Sequence, residues 1–430
     1  MKLDELYRIF LEHPHVTTDS RKIGEGSIFF ALKGENFNGN SFAKTSLDKG
    51  AAYAVIDDEN YATDERTILV DNVLHTLQDL ARLHRQKSGI PILAITGSNG
   101  KTTTKELVAS VLSRKFKIVF TEGNLNNHIG VPLTLLRITP DTQFGIVEMG
   151  ANHHGEIDEL CKIALPDFGL ITNVGRAHLE GFGSFEGVIR TKTELYRFLQ
   201  HNNGTIFINR ANPFLSKLAG NEKNVSYTTE RGGEGLEGEA INSEPFLVFK
   251  VLFPKGWLYI KTGLVGRYNL ENAMAAAAVG LYFGLDPTEI ASAMEAYHPD
   301  NNRSQMVKTE RNSLLMDAYN ANPSSTTAAL ENFAQLDVPA KGVILGDMLE
   351  LGTVSHEEHQ KIVDLLIAMK LDMVFLVGPL FSACHLPVTF QRFNDSNELA
   401  AFLKNEQLTG YHFLIKGSRG MKLESILPSL

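Results

Sequence analysis

The feature that most constrains this chain is a short apolar run that ends in a glycine-rich turn and then a helix. Ile92-Leu93-Ala94-Ile95 leads straight into Thr96-Gly97-Ser98-Asn99-Gly100-Lys101-Thr102. Beyond it Leu107, Val108, Val111 and Leu112 recur at helical spacing. Strand, glycine turn, helix is the order in which backbone N–H groups and a helix N-terminus can surround phosphate oxygens. In that arrangement Lys101 reaches the terminal phosphates and the Thr102 hydroxyl can ligate a magnesium ion. The first glycine of the usual phosphate-loop pattern is replaced by Ile95, and Gly97 serves instead. By itself this segment supports nucleotide-phosphate binding; a Gly-Lys-Thr with no ligand is the alternative.

The chain is 430 residues long, which is too much for one ordinary core and suits two to four domains. Three regions separate by pattern. Residues 1–87 hold short strands at Ser27–Leu32 and Ala52–Ile56 and close on a helical run before Ser88-Gly89. Residues 88–297 alternate strands and helices, with further strand candidates at 144–147 and 168–172, which predicts a parallel, doubly wound sheet. Residues 298–430 repeat the alternation on a smaller scale, with Pro323 placed for a first helical turn. Residues 228–243 are rich in Gly and Glu and read as a surface loop or turn region.

A net charge of −9 argues against a nucleic-acid surface, which needs a basic face. Two distant cysteines, Cys161 and Cys384, make neither a disulfide framework nor a zinc motif and suit a reducing compartment. The N-terminus lacks an apolar signal core, and the most apolar later stretch, 273–285, is shorter than a membrane span. A cytoplasmic protein without membrane insertion is the expectation.

Five further stretches bear on function. They are Thr17-Thr18-Asp19-Ser20-Arg21, Gly123 to Pro132 with Asn126-Asn127-His128, Glu148 to His153, Asp317-Ala318-Tyr319-Asn320-Ala321-Asn322-Pro323, and Leu345 to Gly352. Together with the shortened phosphate loop, they resemble the Mur ligase family over essentially the whole chain. The resemblance implies an α/β, three-domain architecture: an N-terminal UDP-sugar-binding domain (1–87), a central P-loop parallel-sheet ATPase domain (88–297), and a smaller Rossmann-like C-terminal domain (298–430). It implies an ATP-dependent ligase that activates a carboxylate as an acyl phosphate before an amine attacks. The Asp-Asn-Pro-Arg selector of the diaminopimelate- or lysine-adding branch is absent. The stretches at 317–323 and 346–350 are similar instead to the dipeptide-adding branch, implying UDP-N-acetylmuramoyl-tripeptide and D-alanyl-D-alanine as partners and a monomer. A nucleotide switch, a mechanical ATPase and a non-catalytic descendant are the rivals from other classes.

Residue roles follow from the same resemblance. Gly97, Ser98, Asn99, Gly100, Lys101, Thr102 and Thr103 form the ATP loop. Glu148 and His178 would be ligands for two magnesium ions with Thr102, and Lys192, as a carbamate, would join them. Read alone, Glu148 is equally a cap or surface glutamate, His178 a hydrogen-bonded loop residue and Lys192 a solvated helix lysine. Asn269 and Asn272 lie on one helical face, suited to adenine, with helix capping the alternative for Asn269. Arg303 and Asp317 resemble phosphate and ribose contacts that form on domain closure. Ser20, Arg21 and Lys33 resemble uridine-diphosphate contacts, although Lys33 also reads as a turn residue. Asn126, Asn127 and His128 would face the muramoyl peptide. Asn320, Asn322, Asp347, Lys416 and Arg419 are candidates for the dipeptide side, the last two for its carboxylate.

Overall fold

The computed structural model describes residues 1–177, 179–220, 223–369 and 371–430. Its strands follow the period-two burial of the apolar runs. In the central sheet Ile92, Ala94, Val147, Ile171 and Ile206 face one side, while Leu93, Ile95, Ile146, Leu170 and Phe207 face the other. Both faces are therefore covered by helices, as a parallel sheet requires.

That sheet has nine strands in the order 256–261, 248–253, 236–242, 224–228, 205–209, 168–171, 92–96, 144–148 and 118–120. The strands from Leu236–Asn242 to Ile118–Phe120 pair in parallel, and an antiparallel hairpin, Val248–Phe253 with Gly256–Lys261, extends the edge. The reading of 228–243 as a loop is corrected here, since Leu236–Asn242 is a strand. Its neighbours supply the ladder bonds that its Gly- and Glu-rich sequence does not advertise.

The N-terminal part has a four-stranded parallel sheet, ordered 16–17, 28–30, 53–56 and 67–69. Helix Val73–Ser88 ends where Gly89 takes a positive φ of 62°. This helix joins the N-terminal and central parts: Leu77 and Leu80 share one apolar core with Phe10, Ile28, Val131 and Ile157. Its Arg85 also donates to the Ala164 and Leu165 carbonyls and pairs with Asp167 at 2.8 Å.

The C-terminal sheet has six strands, ordered 305–308, 313–317, 412–416, 341–346, 373–377 and 391–393. All pair in parallel except the edge strand Gln305–Lys308. Helices cover both faces, over Leu315, Val343 and Leu414 on one side and Met316, Ile344 and Ile415 on the other. Among the described residues, no helix is long and apolar enough to cross a membrane.

Candidate active site

In an open parallel sheet, ligands bind beyond the carboxyl ends of the strands. Strand Ile92–Thr96 lies between Phe144–Glu148 and Phe168–Ile171, with Ile95 opposite Glu148 and Thr96 opposite Ile171. The phosphate loop, Glu148 and residues 172–173 therefore emerge side by side. Ser98 to Thr103, Glu148 and Asn173 line a 620 Å³ cavity whose opposite wall is the C-terminal sheet's loops, including Arg303, Tyr319, Asn320 and Asn322.

The loop's two glycines are demanded by contact as well as conformation. Gly97 and Gly100 have φ values of 143° and 77°. A Cβ at Gly97 would collide with Thr172 Oγ1, and one at Gly100 with Asn272 Oδ1. Ser98 Oγ accepts from Gly175 N–H at 2.9 Å. Helix Lys101–Leu112 begins at Gly100 and aims its N-terminus at the cavity. Lys101 Nζ folds back onto the Gly97 and Ser98 carbonyls at 2.7 and 3.1 Å. Desolvation lowers its pKa to about 8, opposed by the charge of Glu148. Thr103 lines the same cavity.

Glu148 is 1% exposed. Thr102 Oγ1 donates to both of its carboxylate oxygens, at 3.2 and 3.0 Å, and Asn126 Nδ2 donates at 2.8 Å. Lys105, fully buried, stands 3.9 Å from Glu148, donates to the Thr121 carbonyl at 2.6 Å and pairs with Glu106 at 3.0 Å. Lys105 escaped the sequence reading. One helical turn beyond Lys101, it looks like an ordinary solvated lysine until the sheet order places Glu148 beside it. The Thr102 hydroxyl and the Glu148 carboxylate are hard oxygen donors with one ammonium nearby. That chemistry fits magnesium, which takes one or two carboxylates and completes its shell with phosphate and water. Among the described residues no cage of three or more His, Cys, Asp or Glu exists.

His178 lies outside the described residues. Lys192 is 1% exposed, so the solvated-lysine alternative fails. Its Nζ faces the Ala151 carbonyl at 3.4 Å and the Phe182 ring at 5.3 Å. Burial, and then the charge of Lys101, hold its pKa well below the usual lysine range.

Asn269 and Asn272 are buried, and their amides are engaged. Asn272 Oδ1 accepts from Thr104 Oγ1 at 3.0 Å, its Nδ2 donates to Asn269 Oδ1 at 2.8 Å, and Asn269 Nδ2 donates to Val265 O at 2.8 Å. The pair braces the phosphate loop. Arg303 Cζ sits over the Tyr319 ring, 3.7 Å from its centre, on the cavity wall.

Of the C-terminal candidates, Asp347 and Arg419 lie off the cavity, while Asp317, Asn320, Asn322 and Lys416 line it. Lys416, 2% exposed, donates to Asp317 Oδ2 at 2.6 Å and to the Asn320 carbonyl at 3.1 Å. Both residues line the cavity as an ion pair, so the proposed carboxylate and ribose contacts would be met by a lysine and an aspartate already paired with each other. Asp347 accepts from the Leu380 and Phe381 N–H groups, both at 2.9 Å, and so caps helix Pro379–Ser382 away from the cavity. Burial raises its pKa. Arg419 is largely exposed, 5.4 Å from the Tyr319 ring, and does not line the cavity. Asn320 and Asn322 do line it.

Asn127 Oδ1 accepts from the Ile129 and Gly130 N–H groups at 3.1 and 2.9 Å, while exposed His128 faces the cavity. Ser20, Arg21 and Lys33 lie elsewhere, beyond the carboxyl ends of the N-terminal strands. Arg21 pairs with Asp19 at 2.9 Å, Lys33 pairs with Asp57 at 2.8 Å, and the Ser20 carbonyl accepts from Lys49 at 3.0 Å.

Three family models match in series. The Mur ligase family catalytic domain covers residues 13–85, the Mur ligase middle domain 95–280, and the Mur ligase glutamate ligase domain 302–419. UDP-N-acetylmuramoyl-tripeptide–D-alanyl-D-alanine ligase of Bacillus subtilis (strain 168) is 35% identical, over 96% of this chain and 92% of its own. The crystal structure of MurF from Acinetobacter baumannii superposes with a TM-score of 0.87 at 32% identity, covering 97% of this chain and 93% of that one. MurF ligase from Thermotoga maritima, in complex with ADP, gives 0.84 at 27% identity and 97% of each chain.

Proposed function

The chain belongs to the Mur ligase family, and on that premise we propose that the cavity joins D-alanyl-D-alanine to UDP-N-acetylmuramoyl-tripeptide in peptidoglycan precursor synthesis. The protein is an ATP-dependent carboxylate–amine ligase. The observation that carries the reading is the cavity itself, with a phosphate loop and buried Glu148 on one wall and Arg303, Tyr319 and Asn320 on the other.

A carboxylate is a poor acyl donor, and the site answers this in two steps. The tripeptide carboxylate oxygen attacks the γ-phosphorus of ATP, ADP leaves, and an acyl phosphate forms. The dipeptide amine then attacks the acyl carbon, loses a proton, and expels phosphate through a tetrahedral intermediate. Lys101 and the loop N–H groups offset charge on the transferring phosphoryl group. Thr102 and Glu148 would hold magnesium, which when bound neutralises phosphate oxygens. His178 and a carbamate on Lys192 complete the proposal for a second ion. A neutral, buried lysine amine can add to CO₂, forming the N–C bond and releasing one proton, and the direction of the Lys192 shift favours that form. Ser20, Arg21 and Lys33 are proposed for the uridine diphosphate and Asn126, Asn127 and His128 for the muramoyl peptide. The divisions after residues 87 and 297, a monomeric state and a cytoplasmic location belong to the same proposal.

The test mixes protein, UDP-N-acetylmuramoyl-tripeptide, D-alanyl-D-alanine, ATP and Mg²⁺, and follows phosphate release and product mass. A dipeptide adduct with one phosphate released per bond is expected. An adduct with a single amino acid and none with the dipeptide overturns the substrate assignment. Lys192→Ala should lose most activity and regain part of it with short carboxylic acids; an unimpaired variant removes the carbamate.

A further inference from the structure

Helix Pro323–Gln335 starts at the cavity wall. Asn322 caps it: Oδ1 accepts from the Ser325 N–H at 2.9 Å, and the Asn322 N–H reaches Ser325 Oγ at 3.2 Å. The cap uses only the oxygen of the carboxamide. The other half, Nδ2, crosses to the central part of the molecule and donates to Asn99 Oδ1 at 2.8 Å.

Asn99 stands in the phosphate loop with its backbone held by the neighbouring strand end. Its N–H donates to Asn173 Oδ1 at 3.0 Å, and its carbonyl accepts from Thr172 Oγ1 at 2.6 Å and Asn173 Nδ2 at 3.2 Å. With the backbone engaged, the side chain faces the C-terminal part. A second contact seats the same helix start: the Arg176 N–H donates to Ser324 Oγ at 3.1 Å. The approach at Gly175 is tight, since a Cβ there would come within 3.2 Å of Ser324 Oγ and 3.4 Å of Asn99 Nδ2.

We infer that Asn99 and Asn322 are positioning residues for the ligation: their hydrogen bond registers the C-terminal part against the phosphate loop, and the joining step depends on it. The inference rests on the ligase reading above. Its physical basis is that a hydrogen bond between two fixed amides is short-ranged and directional, so it forms only in the seated arrangement. Seating brings the amine-side wall to the phosphoryl group, where a misplacement of 1 Å is enough to slow reaction.

The experiment uses the full-length enzyme with Asn322→Ser, Asn99→Ser and the double variant. Serine at 322 keeps a capping oxygen and lacks the donor. One neutral hydrogen bond corresponds to about a fivefold effect. Each single variant should lower kcat for ligation about fivefold, the double variant should do no worse, and the ADP affinity of Asn322→Ser by calorimetry should stay within about twofold. X-ray scattering of the nucleotide-bound protein should shift toward a larger radius of gyration in all three. Losses that multiply in the double variant, an unchanged kcat in Asn99→Ser, or ADP affinity of Asn322→Ser falling in step with its kcat would each overturn the inference. If Asn322→Ser melts early, Asn99→Ser, which leaves the helix cap intact, decides. A wild-type enzyme that does not ligate defeats the ligase reading instead, and the scattering comparison then decides the positioning contact alone.

Discussion

The central and C-terminal parts are both parallel sheets with helices on each face, yet they spend their charged groups differently. In the central part the charges gather at the cavity: Lys101 lies across the phosphate loop, and Glu148 is buried between Thr102, Asn126 and Lys105. In the C-terminal part Lys416 is consumed by Asp317, and Asp347 by a helix start. That part offers the cavity amides, a Tyr319–Arg303 stack and a helix cap. The central wall carries the loop lysine and a buried carboxylate; the C-terminal wall adds Arg303, an already paired Lys416–Asp317, and the alignment of its helix start. Catalysis by positioning and fixed charge needs both, and no nucleophilic side chain is required.

Four measurements can break or sharpen this contrast. The largest effect is expected at the charged wall, where Lys101→Met should cut kcat by about a thousandfold or more while leaving the melting temperature near the parent value. A variant within tenfold of the parent would remove Lys101 from the chemistry. Next, Lys416→Met should act through stability: stranding Asp317 without its partner costs about 3 kcal/mol, read by urea unfolding. Unchanged stability with a raised KM for the dipeptide would make Lys416 a substrate contact and not a structural one.

Asp347→Ala should cost about 1 to 2 kcal/mol from the lost cap, with dipeptide KM unchanged; a KM effect alone would reverse that correction. The smallest effect is a pH dependence. Lys101 has its pKa lowered to about 8, so its charge is present below pH 7 and is lost as pH rises through 8. ADP affinity should therefore be flat from pH 6 to 7 and fall above pH 8, by no more than about tenfold per pH unit. Affinity that rises with pH there would contradict the sign.

Much of the fold was legible because strands such as Ile92–Thr96 and Gly342–Leu345 are contiguous apolar runs between turn residues. Leu236–Asn242 was not, because a Gly- and Glu-rich segment becomes a strand only when a neighbour offers its ladder. Helix Val73–Ser88 follows the N-terminal part in sequence and shares its core with both parts, a partnership that no local pattern shows. Within the site, residues 97–103 were readable as a unit, since a turn and the helix after it point their N–H groups in a direction that local geometry decides.

By itself, the sequence determined the alternation of the apolar strands with helices, the phosphate loop and the family. These rest on runs of adjacent residues, where chemistry and position are written together. Only the tertiary structure decided which charged group meets which. Lys105 finds Glu148, Lys416 finds Asp317 across 99 residues, and Asn322 finds Asn99 across 223. A side chain's charge is set by its type, but its partner is set by strand order and burial, and burial decides whether that charge is solvated, paired or free to act. The loop read first from seven residues is thus half of a site. Its other half arrives from the far end of the chain.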